Sequence, residues 1–244
     1  SARRQRQMCI RDRSMLFVGG TASGKTTSLN ACSLFLPWQH KIVSIEETRE
    51  LNLPHPNWIP GCTRQGFGGE SAGSGEKAAG EVDMYDLLRA ALRERPEYII
   101  VGEIRGAEAY VLFQAMATGH TTYSTFHADS IQSLVHRLEN KPIEIPRVLI
   151  PALDGISIQI QTRVGGKRVR RNKGIIEIIG IDPHSHELLT NEAFRWDNTV
   201  DECVFTGKSY IFEKIMMKAN LNRVEIMDET KRRQLVIEWC LKKG

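Results

Sequence analysis

The stretch "GGTASGKT", Gly19–Thr26, sets two glycines, a lysine and a threonine in the spacing G-x-x-x-x-G-K-[ST]. A hydrophobic run precedes it and a helical pattern follows, the context in which this spacing forms a phosphate-binding loop. The backbone N–H groups of Gly19, Gly20, Thr21, Ala22, Ser23 and Gly24 would wrap phosphate oxygens at the positive end of that helix. Lys25 would reach the β- and γ-phosphates of a nucleotide, and Thr26, with Thr27 beside it, would hold Mg²⁺.

Such a loop needs acids at neighbouring strand ends to hold the metal and orient water. "KIVSI" runs into Glu46, Glu47 and Glu50, and "YIIVG" runs into Glu103. For the first cluster a solvated loop start is the alternative. Glu103 has fewer structural excuses, because a carboxylate closing an apolar strand costs free energy unless something uses it. Two histidines flank "TTYSTF". His127 follows that strand, on the side where a parallel sheet opens its ligand crevice. His120 precedes it and suits a structural role equally well.

These groups require a scaffold of alternating strands and helices. "MLFVGG" reads as a strand and the helix after it runs to about Phe35, closed by Pro37. "KIVSI" (41–45) is a second strand. Residues 51–82, with three prolines and "GFGGESAGSGEKAAGE", read as a long irregular, mobile loop. "DMYDLLRAALRE" (83–94) is a helix with Asp83 as N-cap, stopped by Pro96. A strand over 98–102, a helix near 106–118, a strand over 121–126 and a helix over 130–140 follow. Helical crossovers between strands imply a mainly parallel sheet covered on both faces. After Pro151 the texture changes to a β-meander with a turn at Gly165-Gly166, then helices near 208–219 and 224–242. The expected division is an α/β core over 15–150 and a meander with C-terminal helices over 151–244.

Composition excludes several classes. The 244 residues are 41% hydrophobic and 25% charged, and no apolar run reaches membrane-helix length. Five scattered cysteines, none in C-x-x-C, argue against zinc or a disulfide framework and fit a reducing cytoplasm. The net charge of +4 resides in residues 1–14, with five arginines and one aspartate; the rest balances at 28 basic and 28 acidic residues. That tail lacks periodicity and reads as non-native or disordered, resembling translated adapter or vector sequence; a basic arm is the alternative.

The phosphate loop, "IEETRE", "VGEIR" and "TGHTTYSTFHA" stand in the order of four blocks of the type II/IV secretion ATPase superfamily. They resemble its Walker A, Asp box, Walker B and His box. The wording of "IEETRELNLPHPNW" and "RPEYIIVGEIRGAEA" is most similar to the archaeal branch, which includes archaellum, pilus and secretion motors. The resemblance covers roughly 15–240 and implies a RecA-like P-loop NTPase core, ATP and Mg²⁺ as cofactors, and a homohexameric ring working on a polytopic membrane platform protein. It implies a cytoplasmic protein held at the membrane's inner face through that partner, without zinc. It matches Glu50 to the Asp-box glutamate, with Glu46 opening the box and Glu47 where Asp is usual. Glu103 matches the Walker B glutamate, and His120 and His127 the His box. Thr26, Glu103 and Glu50 become the magnesium set; either Glu103 or Glu50 orients the water. Arg89 and Arg93 match arginines that reach nucleotide across a subunit boundary, with Arg64 and Arg105 as weaker matches; exposed charge on an amphipathic helix is the alternative. The family's separate N-terminal domain is expected to be missing, as in a fragment covering the motor domain. A nucleic-acid motor on the same core is the rival reading. It has little support from a neutral body whose only dense basic run is "GGKRVRRNKG" (165–174), and DNA-stimulated turnover would mark it.

Overall fold

The chain's computed structural model describes residues 13–66 and 79–243. In chain order the elements are β1 (Met15–Gly19), α1 (Lys25–Ser33), β2 (Ile42–Glu46), β3 (Trp58–Cys62), α2 (Met84–Arg93), β4 (Tyr98–Val101), α3 (Glu108–Ala117), β5 (Thr121–Phe126) and α4 (Ile131–Glu139). A 3₁₀ turn (Arg147–Ala152) leads to β6 (Gly155–Val164), β7 (Lys167–Ile181), β8 (Leu188–Asp197) and β9 (Glu202–Phe205). Helices α5 (Tyr210–Ala219) and α6 (Arg223–Lys243) complete the described chain.

The strands form one sheet in the order β3-β2-β4-β5-β1-β6-β7-β8-β9. From β3 to β6 every pair is parallel, and beyond β6 every pair is antiparallel. The mainly parallel α/β sheet and the meander expected from sequence are both present. The meander's first strand pairs parallel with β1, Met15 against Gly155, so residues after 151 extend the core sheet.

Period-two alternation explains the layering. Leu16, Val18, Val43, Ile45, Ile99 and Val101 face one core with Leu112 of α3 and Leu134 of α4. Phe17, Ile42, Tyr98 and Ile100 face the other, smaller core with Leu29 of α1. Asp83 caps α2 as expected: its Oδ1 accepts from the Asp86 N–H at 2.8 Å.

Three local expectations change. Residues 51–82 are not wholly irregular, because Trp58–Cys62 forms edge strand β3 beside β2. Pro60 hides it in the sequence, yet an edge strand tolerates a proline, and the Trp58 indole anchors it by donating to Ser44 Oγ at 2.9 Å. Most of the glycine-rich run, 67–78, lies outside the described residues. So do residues 1–12 of the basic tail, whereas Arg13 and Ser14 join the fold. Both are held by Asp154, at 3.1 Å from the Arg13 guanidinium and 3.0 Å from the Ser14 N–H. Short strand β9 was also not anticipated.

The start of α5 docks on a buried carboxylate of β7. Glu177 accepts from the Ser209 hydroxyl, the Tyr210 N–H at 2.6 Å and the Asn191 amide at 2.9 Å. A carboxylate at the first turn of α5 also complements the helix dipole. Glu177→Ala strands these donors and is expected to lower unfolding free energy by about 3 kcal/mol, read as a shift in denaturant midpoint.

Candidate functional site

β1 delivers the chain to the phosphate loop at the carboxyl edge of the sheet. Gly24 sits at the N-cap of α1 with φ +98° and makes no side-chain cap, a conformation glycine adopts without strain. The first backbone bond of the turn runs from the Ser28 N–H to the Gly24 carbonyl at 2.9 Å, so the N–H groups of Lys25, Thr26 and Thr27 precede it. These are the donors a helix leaves unpaired, and they suit an anion.

Lys25 is buried. Its ammonium donates to the Gly20 carbonyl at 2.9 Å and lies 3.4 Å from His127 Nδ1. Burial pushes its pKa down, and the Glu103 charge partly offsets that. His127 Nε2 stands 3.2 Å from Glu103 Oε1. Lys25, His127 and Glu103 thus form a chain from the phosphate loop to the end of β4. With Nε2 protonated, the imidazole can donate to Glu103 while Nδ1 faces Lys25.

Backbone bonds between strands hold Glu103 in place. The Gly102 N–H donates to the Ile45 carbonyl at 2.8 Å, and the Ile104 N–H to the Thr125 carbonyl at 3.1 Å. Thr125 Oγ1 donates to the Gly102 carbonyl at 2.6 Å. After Glu103, the buried Glu108 carboxylate accepts from the Arg105 and Gly106 N–H groups at 2.7 and 2.8 Å. Sequence reasoning missed Thr125 and Glu108; the one available signal was an acid in the first turn of a helix.

Glu46, the last residue of β2, is 2% exposed. Its Oε1 accepts from the Glu50 and Leu51 N–H groups, both at 3.0 Å. Its Oε2 is buried without a hydrogen-bond partner. A Cβ on Gly102 would lie 3.1 Å from Glu46 Cγ. A side chain at 102 would crowd Glu46, which would have to give by a few tenths of an ångström. Gly102→Asp would set a second carboxylate against Glu46 and is expected to cost about 2 kcal/mol of stability, measured by chemical denaturation.

Thr26, Glu46, Glu47, Glu50, Glu103 and Arg105 share a cleft of about 160 Å³. A buried carboxylate oxygen without a partner, in a cleft that a threonine also lines, fits a hard divalent cation such as Mg²⁺. Among the described residues no group of three or more His, Cys, Asp or Glu side chains forms a metal cage. Magnesium usually takes only one or two carboxylates and completes its shell with phosphate and water, so the donors present suffice.

Other expected residues lie elsewhere. His120 precedes β5, about 20 Å from the carboxyl edge by strand rise. It lines a separate cavity of about 590 Å³ with His40, Asp154 and Lys218. The chain does not bring it to the phosphate loop, because it and His127 occupy opposite ends of one strand. Arg89 and Arg93 are exposed on α2, Arg89 lying 5.7 Å over the Tyr85 ring, and neither lines the cleft. Arg64 donates to the Gly80 carbonyl at 2.9 Å, and Arg105 pairs with Glu47 at the cleft mouth.

Known proteins resemble this chain in sequence and in fold. An uncharacterized protein of Methanocaldococcus jannaschii is 45% identical over 216 residues, which is 88% of this chain and 77% of that protein. The type IV secretion system protein PtlH of Bordetella pertussis is 33% identical over 174 residues, 65% of this chain and 48% of PtlH. Among solved structures, the VirB11 ATPase of the Brucella suis type IV secretion system, crystallised with sulphate, superposes with a TM-score of 0.54. It is 27% identical, over 71% of this chain and 50% of VirB11. The chain thus spans about half the length of PtlH and VirB11. The family model described as "Type II/IV secretion system protein" matches residues 2–238. That match spans nearly the whole sequence, and the chain belongs to the type II/IV secretion system protein family.

Proposed function

We propose that this chain is the motor portion of an ATPase that hydrolyses ATP to ADP and phosphate with Mg²⁺, in a homohexameric ring driving a secretion, pilus or archaellum machine. The observation that carries the reading is the continuous contact of Lys25, His127 and Glu103, with Glu103 lining the same cleft as Glu46, whose Oε2 has no partner.

Each residue has a part. The free N–H groups at the start of α1 bind the phosphate chain, and Lys25 turns from the Gly20 carbonyl to the β- and γ-oxygens. Thr26 and Glu46 would hold Mg²⁺, with Glu50 at the rim, and the charge such an ion supplies when bound would offset negative charge at the γ-phosphate. Glu103 accepts a hydrogen bond from the attacking water and aligns it. His127 touches both Lys25 and Glu103, so a change in Lys25 on phosphate binding reaches the group that aligns water.

Arg89 and Arg93, solvent-exposed in the single chain, would complete the site of a neighbouring subunit. Among the described residues no helix is long and apolar enough to cross a membrane. In this proposal, force passes to a polytopic platform protein and the ring works at the inner face of the membrane. Sizing the protein with and without Mg-ATP tests the assembly: a six-subunit species that grows with nucleotide supports it. A strictly monomeric, nucleotide-insensitive protein contradicts it.

A further inference from the structure

The densest basic run of the chain lies on the β6–β7 hairpin. Arg163, Lys167, Arg168, Arg170, Arg171 and Lys173 occur there with no acid between them. Topology brings this hairpin to the phosphate loop. β6 lies beside β1, Gly19 opposite Gln159, and its remaining residues pass the carboxyl edge of the sheet. β7 returns along it with Arg170 opposite Gln161.

Two adjacent arginines have different surroundings. Arg171 is engaged by Asp201, at 2.6 Å from its Nε, and that carboxylate also accepts from the Trp196 indole at 2.9 Å. Arg170 points to the other face of the strand. Its Cδ lies 3.4 Å and its Cβ 4.0 Å from where a Cβ on Gly24 would stand. Among the described residues its guanidinium has no hydrogen bond or ion pair, and it is exposed at the loop. Lys25, His127 and Glu103 flank the loop on the β5 and β4 side, whereas Arg170 flanks it on the β6 and β7 side.

We infer that Arg170 is a nucleotide-binding residue supplied within the same subunit, whose guanidinium contacts the phosphate chain of the ligand cradled by Gly19–Thr26. The inference rests on the nucleotide reading given above. An aliphatic stem packed on the loop leaves a planar, permanently charged fork free at an anion-binding helix end, the arrangement in which arginine grips phosphate oxygens. The rest of the hairpin adds positive potential over the same opening. This gives the basic run a role in cis that requires neither lipid nor nucleic acid.

The test is equilibrium titration of the protein with fluorescent ATP and ADP analogues, with adenosine as the uncharged comparison. Arg170→Met keeps the stem and removes the charge. It is expected to weaken ATP and ADP binding about tenfold, leave adenosine unchanged and leave the thermal midpoint unchanged. Arg170→Lys is expected to fall between Met and wild type, and Lys167→Ala, at the hairpin tip, to stay within about twofold of wild type. Wild-type binding with equal affinity in Arg170→Met, or equal losses in Arg170→Met and Lys167→Ala, would overturn the inference alone. A wild-type protein that binds no ATP would overturn the nucleotide reading, and the role of Arg170 with it.

Discussion

Glu103→Gln is expected to lower ATP turnover about 100- to 1,000-fold while ATP affinity stays within a few-fold of wild type. Glutamine keeps the shape of the side chain and can still accept from His127, so the position of the loop survives. It loses the charge needed to align and polarise water at the γ-phosphate. The same exchange removes the one nearby charge that raises the Lys25 pKa, leaving burial unopposed. Phosphate release under single-turnover conditions, paired with equilibrium nucleotide binding, separates the two effects. Equal losses in binding and turnover would mean that Glu103 serves the loop rather than the reaction.

Glu46→Gln is expected to raise the Mg²⁺ concentration needed for half-maximal nucleotide binding about 10- to 100-fold. The acid that the family pattern singles out is Glu50, but Glu50 is exposed at the cleft rim and its N–H helps hold Glu46. Glu46 is the carboxylate with a buried, unpartnered oxygen. Losing its charge should therefore cost more metal affinity than Glu50→Gln, which should act mainly on turnover. A magnesium titration of both variants by calorimetry checks this. A larger metal defect in Glu50→Gln would return the principal metal contact to the loop.

Much of this site was legible because its signals are local. The phosphate loop occupies eight consecutive residues, and the strands that feed it are short apolar runs ending in charge or glycine. The parallel order followed from helical crossovers. What escaped depends on residues far apart in sequence. Nothing local says that Glu46 crowds the space beside Gly102, or that Arg170 rests on Gly24. Those contacts exist because β2 pairs with β4 and β6 lies beside β1. His120 shows the converse: its motif neighbours are close in sequence, yet a six-residue strand separates it from His127. β3 was hidden by Pro60, a residue that an edge strand can carry and a central one cannot, and by Gly61, which weakens any strand pattern.

The central claim is that Lys25, His127 and Glu103 make one ATP-hydrolysing unit. The most direct measurement is Mg²⁺-dependent phosphate release by the wild-type protein and by Lys25→Ala. The account predicts steady release by wild type and a loss of at least about 100-fold in Lys25→Ala, with the folded state retained by circular dichroism. Release that persists unchanged in Lys25→Ala, or its absence from wild type over a full range of ATP and Mg²⁺, would contradict it.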